Sequence, residues 1–238
     1  MPTLAARQKE RAERILAAAE ELLLRHGYNR VTIEDIARRA GIGKGTIYLH
    51  WRTREALFGT LFLREVVALW RALIERVRAD PAEVRFHRVM RAMLLTAMSR
   101  PLARALFTGD RELLGKLAER GFARPLGALT DIESEVLALL RDHGLLRADI
   151  DQPQQRYALR ATVTGFLVTL ALSEGETLPL EACADALAGT IQRAFEPPEQ
   201  LPDAALPEAA AQLLSWFERL CASVEAQIAA QMRVANDT

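Results

Sequence analysis

Lys44, Thr46, Tyr48 and His50 set an ammonium group, two hydroxyls and an imidazole within one short stretch, a set suited to hydrogen bonding rather than to bond breaking. Lysine donates to guanine O6 and N7, and threonine offers a hydroxyl or a methyl to base edges. Tyrosine and histidine reach phosphate oxygens. Ile47 and Trp51, four positions apart, mark the inward side of a helix and leave Lys44, Thr46, Tyr48, Leu49 and His50 toward the outside or its margins. Gly45 lets the backbone approach a duplex closely. The chemistry implied is recognition of double-stranded DNA through the major groove.

Such side chains need a frame that presents them. Ala12, Ile15, Ala19, Leu22 and Leu23 recur at helical spacing and predict a first helix from about Ala6 to His26, closed by Gly27. Thr32 with Asp35 predicts an N-cap and capping box for a second helix ending at Gly41, whose N-terminal amides make Thr32 a phosphate clamp. A third helix follows within a tight turn. Short helices joined by a Gly-containing turn constitute a helix-turn-helix.

Beyond it, the pattern predicts helices from Thr53 to Ala79, from Asp80-Pro81-Ala82-Glu83 to Met98, from Pro101 to Thr108, and from Thr130 to Gly144. Others run from Asp151 to Ser173, from Thr177 to Phe195, and from Glu208 to Met232. Gly109, Gly115, Gly121, Pro125 and Gly127 interrupt the middle of the chain, and a Pro-rich linker covers about 197–207. The fold class is therefore all-α: a helix-turn-helix domain over 1–53, then a larger helical domain over 54–238 with an extra C-terminal helix.

Composition narrows the function. Lys+Arg and Asp+Glu both total 31, yet residues 1–53 hold ten basic side chains against six acidic ones, a basic head on an acidic body. Cys183 and Cys221 form no disulfide framework, which fits a reducing cytoplasm, and the most apolar run, Ala161 to Leu172, is too short to span a membrane. Gly43-Lys44-Gly45-Thr46 fails the phosphate-loop pattern, since Arg38 stands where glycine is required and Gly45 follows the lysine. His26, His50, His87 and His143 are scattered, so no metal site, cofactor or catalytic constellation is expected, and the chain does not read as an enzyme.

Gly41-Ile42-Gly43-Lys44-Gly45-Thr46-Ile47-Tyr48-Leu49-His50-Trp51, with Val31 to Ala37 before it and Arg54, Leu57 and Phe58 after it, resembles the DNA-binding domain of the TetR family of regulators. Gly43 replaces a usual Ser or Thr and Trp51 a usual Phe. The resemblance implies a homodimeric repressor that binds a palindromic operator and is released by a small hydrophobic effector. It implies that Arg54 contacts phosphate, adding to Thr32, Lys44, Gly45, Thr46, Tyr48, Leu49 and His50. It also implies a dimer interface on the helices at about Gln152 to Ser173 and Leu180 to Phe195, at Ala161, Gly165, Val168, Leu187 and Ile191. The family's ligand cavity would fall among Trp70, Phe86, Met90, Met93, Phe107, Phe122 and Phe166.

Overall fold

Gly27 ends the first helix because the chain must turn there with φ of 71°, and a Cβ would stand 2.6 Å from the carbonyl oxygen of Glu112. The helix it closes, α1, is Leu4–His26. The computed structural model describes residues 4–119, 130–172, 178–199 and 201–233, and every regular element among them is helical.

A 3-10 turn, Tyr28–Arg30, leads to α2 (Ile33–Ala40). The predicted capping box is present: Thr32 Oγ1 accepts from the Asp35 amide at 3.2 Å, and the Asp35 carboxylate accepts from the Thr32 amide at 3.1 Å. Gly41, left-handed with φ of 67°, closes α2. After the turn come α3 (Lys44–Tyr48) and α4 (Arg54–Ala79).

The next helix start is displaced from its predicted place. Asp80-Pro81-Ala82-Glu83 opens only a 3-10 turn, Pro81–Val84, and the helix proper, α5, is Phe86–Ser99. The cause is tertiary. Arg85 takes an extended conformation and donates to the Leu201 carbonyl and the Asp203 carboxylate, both at 2.8 Å. The N-terminus of α5 is then capped by Glu196, which accepts from the His87 amide at 2.7 Å across 109 residues of sequence.

The remaining helices are α6 (Pro101–Thr108), α7 (Arg111–Leu114), α8 (Lys116–Glu119), α9 (Thr130–Asp142), α10 (Gln152–Leu172), α11 (Leu180–Phe195) and α12 (Leu206–Arg233). α11 begins after Pro179 rather than at Thr177, which lies outside the described residues, as do Ser173, Gly121, Pro125 and Gly127.

Described residues within Met1–Val67, Pro101–Ala123 and Ala222–Thr238 form one compact unit, and those within Ala68–Arg100 and Arg124–Cys221 form another. The first unit has a continuous apolar core: Ile15, Leu16, Ala19 and Leu23 of α1 meet Ile36, Ile47, Trp51, Leu57 and Phe58. Leu102, Leu106, Leu114 and Leu117 join the same core, with Met232 packed against it.

In the second unit α5 and α11 lie side by side. Arg91 pairs with Asp185 at 2.6 Å and His87 Nδ1 with Glu196 at 2.9 Å, a crossed order that makes the helices antiparallel. Between them are buried Phe86, Val89 and Ala92 of α5 and Ala184, Leu187, Ala188, Ile191 and Phe195 of α11. The part of α12 in this unit turns Leu213, Phe217 and Cys221 inward, and the Phe217 ring lies 6.4 Å from that of Trp70.

Candidate nucleic-acid interface

α3 is short, and two buried side chains fix its rotation. Ile47 is fully buried, and Trp51, just past the helix, is held by a hydrogen bond from its Nε1 to Thr60 Oγ1 at 2.9 Å. With that side anchored, Lys44, Gly45, Tyr48 and Leu49 face solvent, Tyr48 at 41% and Leu49 at 51% exposure. Thr46 is half-buried, and nothing lies within 4 Å of the place a Cβ on Gly45 would take. The sequence expectation for these residues matches this arrangement of one buried and one open face.

His50 is placed differently. It is only 6% exposed, its ring 5.5 Å from that of Trp51, and burial together with the nearby charge of Arg11 pushes its pKa below the ordinary histidine value. It therefore sits in the wall of the core as a neutral ring, since the helical spacing that puts it at the margin of the outer face also brings it against the indole.

Arg54 is likewise turned inward. Its guanidinium lies 4.0 Å from the centroid of the Tyr28 ring and donates to the carbonyls of Val31 at 2.7 Å and Tyr28 at 3.3 Å. The Tyr28 hydroxyl donates to Glu55 at 3.1 Å, and its ring meets Phe58 edge-on at 5.1 Å. Arg54 thus braces the segment between α1 and α2 against the start of α4, a role that spacing alone does not reveal.

Thr32 is exposed, but its amide and hydroxyl both donate to Asp35, the hydroxyl at 2.6 Å. These bonds, with Arg38 as a further partner, hold the Asp35 carboxyl below its usual range. A phosphate at this helix start meets that carboxylate. Sequence reasoning also missed Glu34, whose carboxylate pairs with the Lys44 ammonium across the turn between α2 and α3. Lys44 lies 5.9 Å from the Tyr48 ring centroid as well. Arg39 pairs with Glu21, and Arg38 with Asp35.

The residues expected at a dimer interface divide into two groups. Ala161, Gly165 and Val168 lie on an open side of α10, continuous with Tyr157 at 78% and Leu172 at 74% exposure. Leu187 and Ile191 are instead covered by their own chain, at 1% and 0% exposure, and this placement corrects their assignment. The apolar stripe of α11 is real, but α5 covers it.

The residues expected around an effector are also split. Trp70 and Phe86 are buried, and Met90, Met93 and Phe166 half-buried, all in the second unit; Phe107 belongs to the first, and Phe122 lies outside the described residues. Among the described residues no helix is long and apolar enough to cross a membrane, and no His, Cys, Asp and Glu side chains gather as a metal site would require.

A sequence model for bacterial regulatory proteins of the tetR family matches residues 15–61, the stretch that carries α2, α3 and their flanks. The repressor KstR of Rhodococcus jostii is 30% identical over 136 residues, covering 53% of this chain and 63% of that protein. The repressor BepR of Brucella suis is 26% identical over 170 residues, covering 66% and 79%. Residues 15–61 form a DNA-binding domain of the TetR family. The fold of the chain agrees: a solved TetR-family regulator from Mesorhizobium loti superposes with a TM-score of 0.56 at 18% identity, over 80% of this chain and 99% of that one. The chain spans about half to two thirds of the length of several curated TetR-type relatives it matches.

Proposed function

We propose that this protein is a homodimeric repressor of the TetR family that binds a near-palindromic operator through α3 and is released by a small, largely apolar effector. The observation that carries the reading is the two-sidedness of α3: Ile47 and the following Trp51 are locked in the core while Lys44, Gly45, Tyr48 and Leu49 are presented outward. Lys44 and Thr46 read base edges and Tyr48 reaches phosphate, with Thr32 a lesser contact because Asp35 shares its donors. His50 and Arg54 support these groups from behind. Residues 1–53 form the functional head, and 54–238 the sensing and dimerising body, working in the cytoplasm.

Two-fold symmetry explains why the operator is near-palindromic, because a dimer offers its reading helix twice. The second copy covers the open side of α10, where Tyr157, Ala161, Gly165, Val168 and Leu172 expose apolar surface that one chain leaves in water. The effector enters among Trp70, Phe86, Met90, Met93 and Phe166 in the second unit, where half-buried methionines can repack around an apolar guest. An effector favouring the released state by about 1–3 kcal/mol weakens DNA binding roughly 5–150-fold.

Selection of bound duplexes from a random pool, followed by anisotropy titration at several salt concentrations, tests the function. The expected result is an enriched two-fold symmetric site whose affinity falls steeply with salt. Absence of any enriched sequence refutes it.

A further inference from the structure

We infer that Glu34 and Lys44 act as one unit that reads a single G·C base pair, Lys44 donating to guanine while Glu34 accepts from the cytosine amino group. The inference rests on α2 and α3 being the DNA-contacting element, and it adds a carboxylate to the reading surface.

Glu34 and Lys44 come from different helices, ten positions apart, yet their charged ends meet at the surface with side-chain exposures of 56% and 49%. Neither is consumed by the pairing. An ammonium has three donors and gives one to Glu34, and a carboxylate has about four acceptor sites. Lys44 is further steadied over the Tyr48 ring, so a side chain that is ordinarily floppy is held ready. The bond between them holds the Glu34 carboxyl below its usual range and the Lys44 ammonium above its own, so both remain charged at neutral pH.

The geometry of a base pair supplies the complement. In a G·C pair the guanine O6 acceptor and the cytosine N4 donor stand side by side on the major-groove edge, at hydrogen-bonding distance from each other. A hydrogen-bonded ammonium and carboxylate laid along that edge match donor to acceptor at both places, and guanine N7 adds a further acceptor for the ammonium. An A·T pair offers donor and acceptor in the reverse order, and its T·A orientation, which restores the order, lacks the extra N7 acceptor and sets the thymine methyl beside the hydrated ammonium.

A carboxylate at this surface has a second effect. It repels phosphate and so weakens attachment to DNA of the wrong sequence, which raises discrimination without any new attraction. A purely structural salt bridge has no reason to favour one base pair, and exposed pairs of this kind contribute about 0–1 kcal/mol to stability.

The test is sequence selection from random duplexes with the full-length protein, repeated with Glu34→Gln and with the exchange Glu34→Lys/Lys44→Glu. The fold of each variant is checked by circular dichroism. Wild type is expected to fix a G·C pair at one position of each half-site. Glu34→Gln is expected to lose preference there by about 10–100-fold while neighbouring positions are unchanged. The folded exchange variant is expected to prefer the pair in the opposite orientation, C·G. Glu34→Gln retaining the wild-type preference at every position overturns the inference, as does an exchange variant that selects the wild-type orientation or no pair at that position. A wild-type protein that enriches no sequence defeats the DNA-binding reading itself, a different failure.

Discussion

Arginine placed on two neighbouring helices of the second unit should have opposite consequences. In Leu172→Arg the new charge replaces a side chain that is 74% exposed in the single chain, so the protomer keeps its fold. In a two-fold dimer the change is felt twice. Each copy forfeits roughly 1–2 kcal/mol of apolar burial and gains a charge whose desolvation costs a few kcal/mol more. The dimer dissociation constant should therefore rise by at least about a thousandfold, since each 1.4 kcal/mol is tenfold. Ile191→Arg puts the same group where exposure is 0%, against α5 of its own chain. It should cost about 4 kcal/mol or more of protomer stability and give unfolded or aggregated protein instead of a monomer. Sedimentation velocity from nanomolar to micromolar concentration, with circular dichroism on the same samples, separates the cases. A Leu172→Arg protein that sediments as wild type would refute the α10 interface, and a folded monomeric Ile191→Arg would return α11 to the interface.

Arg54→Ala removes two hydrogen bonds and the stacking on Tyr28, and should destabilise the head by roughly 2–3 kcal/mol. Hydrogen exchange at residues 28–31 should quicken while the salt slope of DNA binding stays unchanged; a reduced slope with normal exchange would show that Arg54 serves phosphate. His50 is held below the ordinary histidine value in the fold, so the unfolded chain takes up its proton first and stability falls as pH drops below about 6.5. His50→Gln should flatten that acid limb in thermal melts, and an identical limb would contradict the buried neutral ring. Gly27→Ala forces a Cβ into positive φ and against the Glu112 carbonyl, and should cost more than about 2 kcal/mol in urea unfolding; a change under about 0.5 kcal/mol would refute that close approach.

The ends of α1 and α2 were legible in the sequence because their signals are local. Gly27, Gly41 and the Thr32–Asp35 box act within a few residues of themselves, and the chain obeys them. Asp80 to Glu83 is as strong a local signal, yet Arg85 and Glu196 overrule it with partners over a hundred residues away. Periodicity identified the buried stripe of α11 correctly but is silent on what covers it, which is why Leu187 and Ile191 pointed to a second copy when α5 already lay there. At the reading surface, residue type and helical phase located Lys44 and Tyr48. The same logic counted His50, and the family resemblance Arg54, among the contacts, but an aromatic wall and a pair of backbone carbonyls turn them inward. The Glu34–Lys44 pairing obeys no spacing rule because it bridges a turn.

The capping of α5 by Glu196 carries a cost in time. A ribosome adds about 5–20 residues per second, so the 109 residues between His87 and Glu196 separate the birth of the helix from that of its cap by roughly 5–20 s. During that interval the apolar side of α5 has no α11 to lie against, and its first amides have only water. The second unit can close only after Glu196 has been made, and until then the nascent chain exposes that face to chaperones and to its neighbours on the same message.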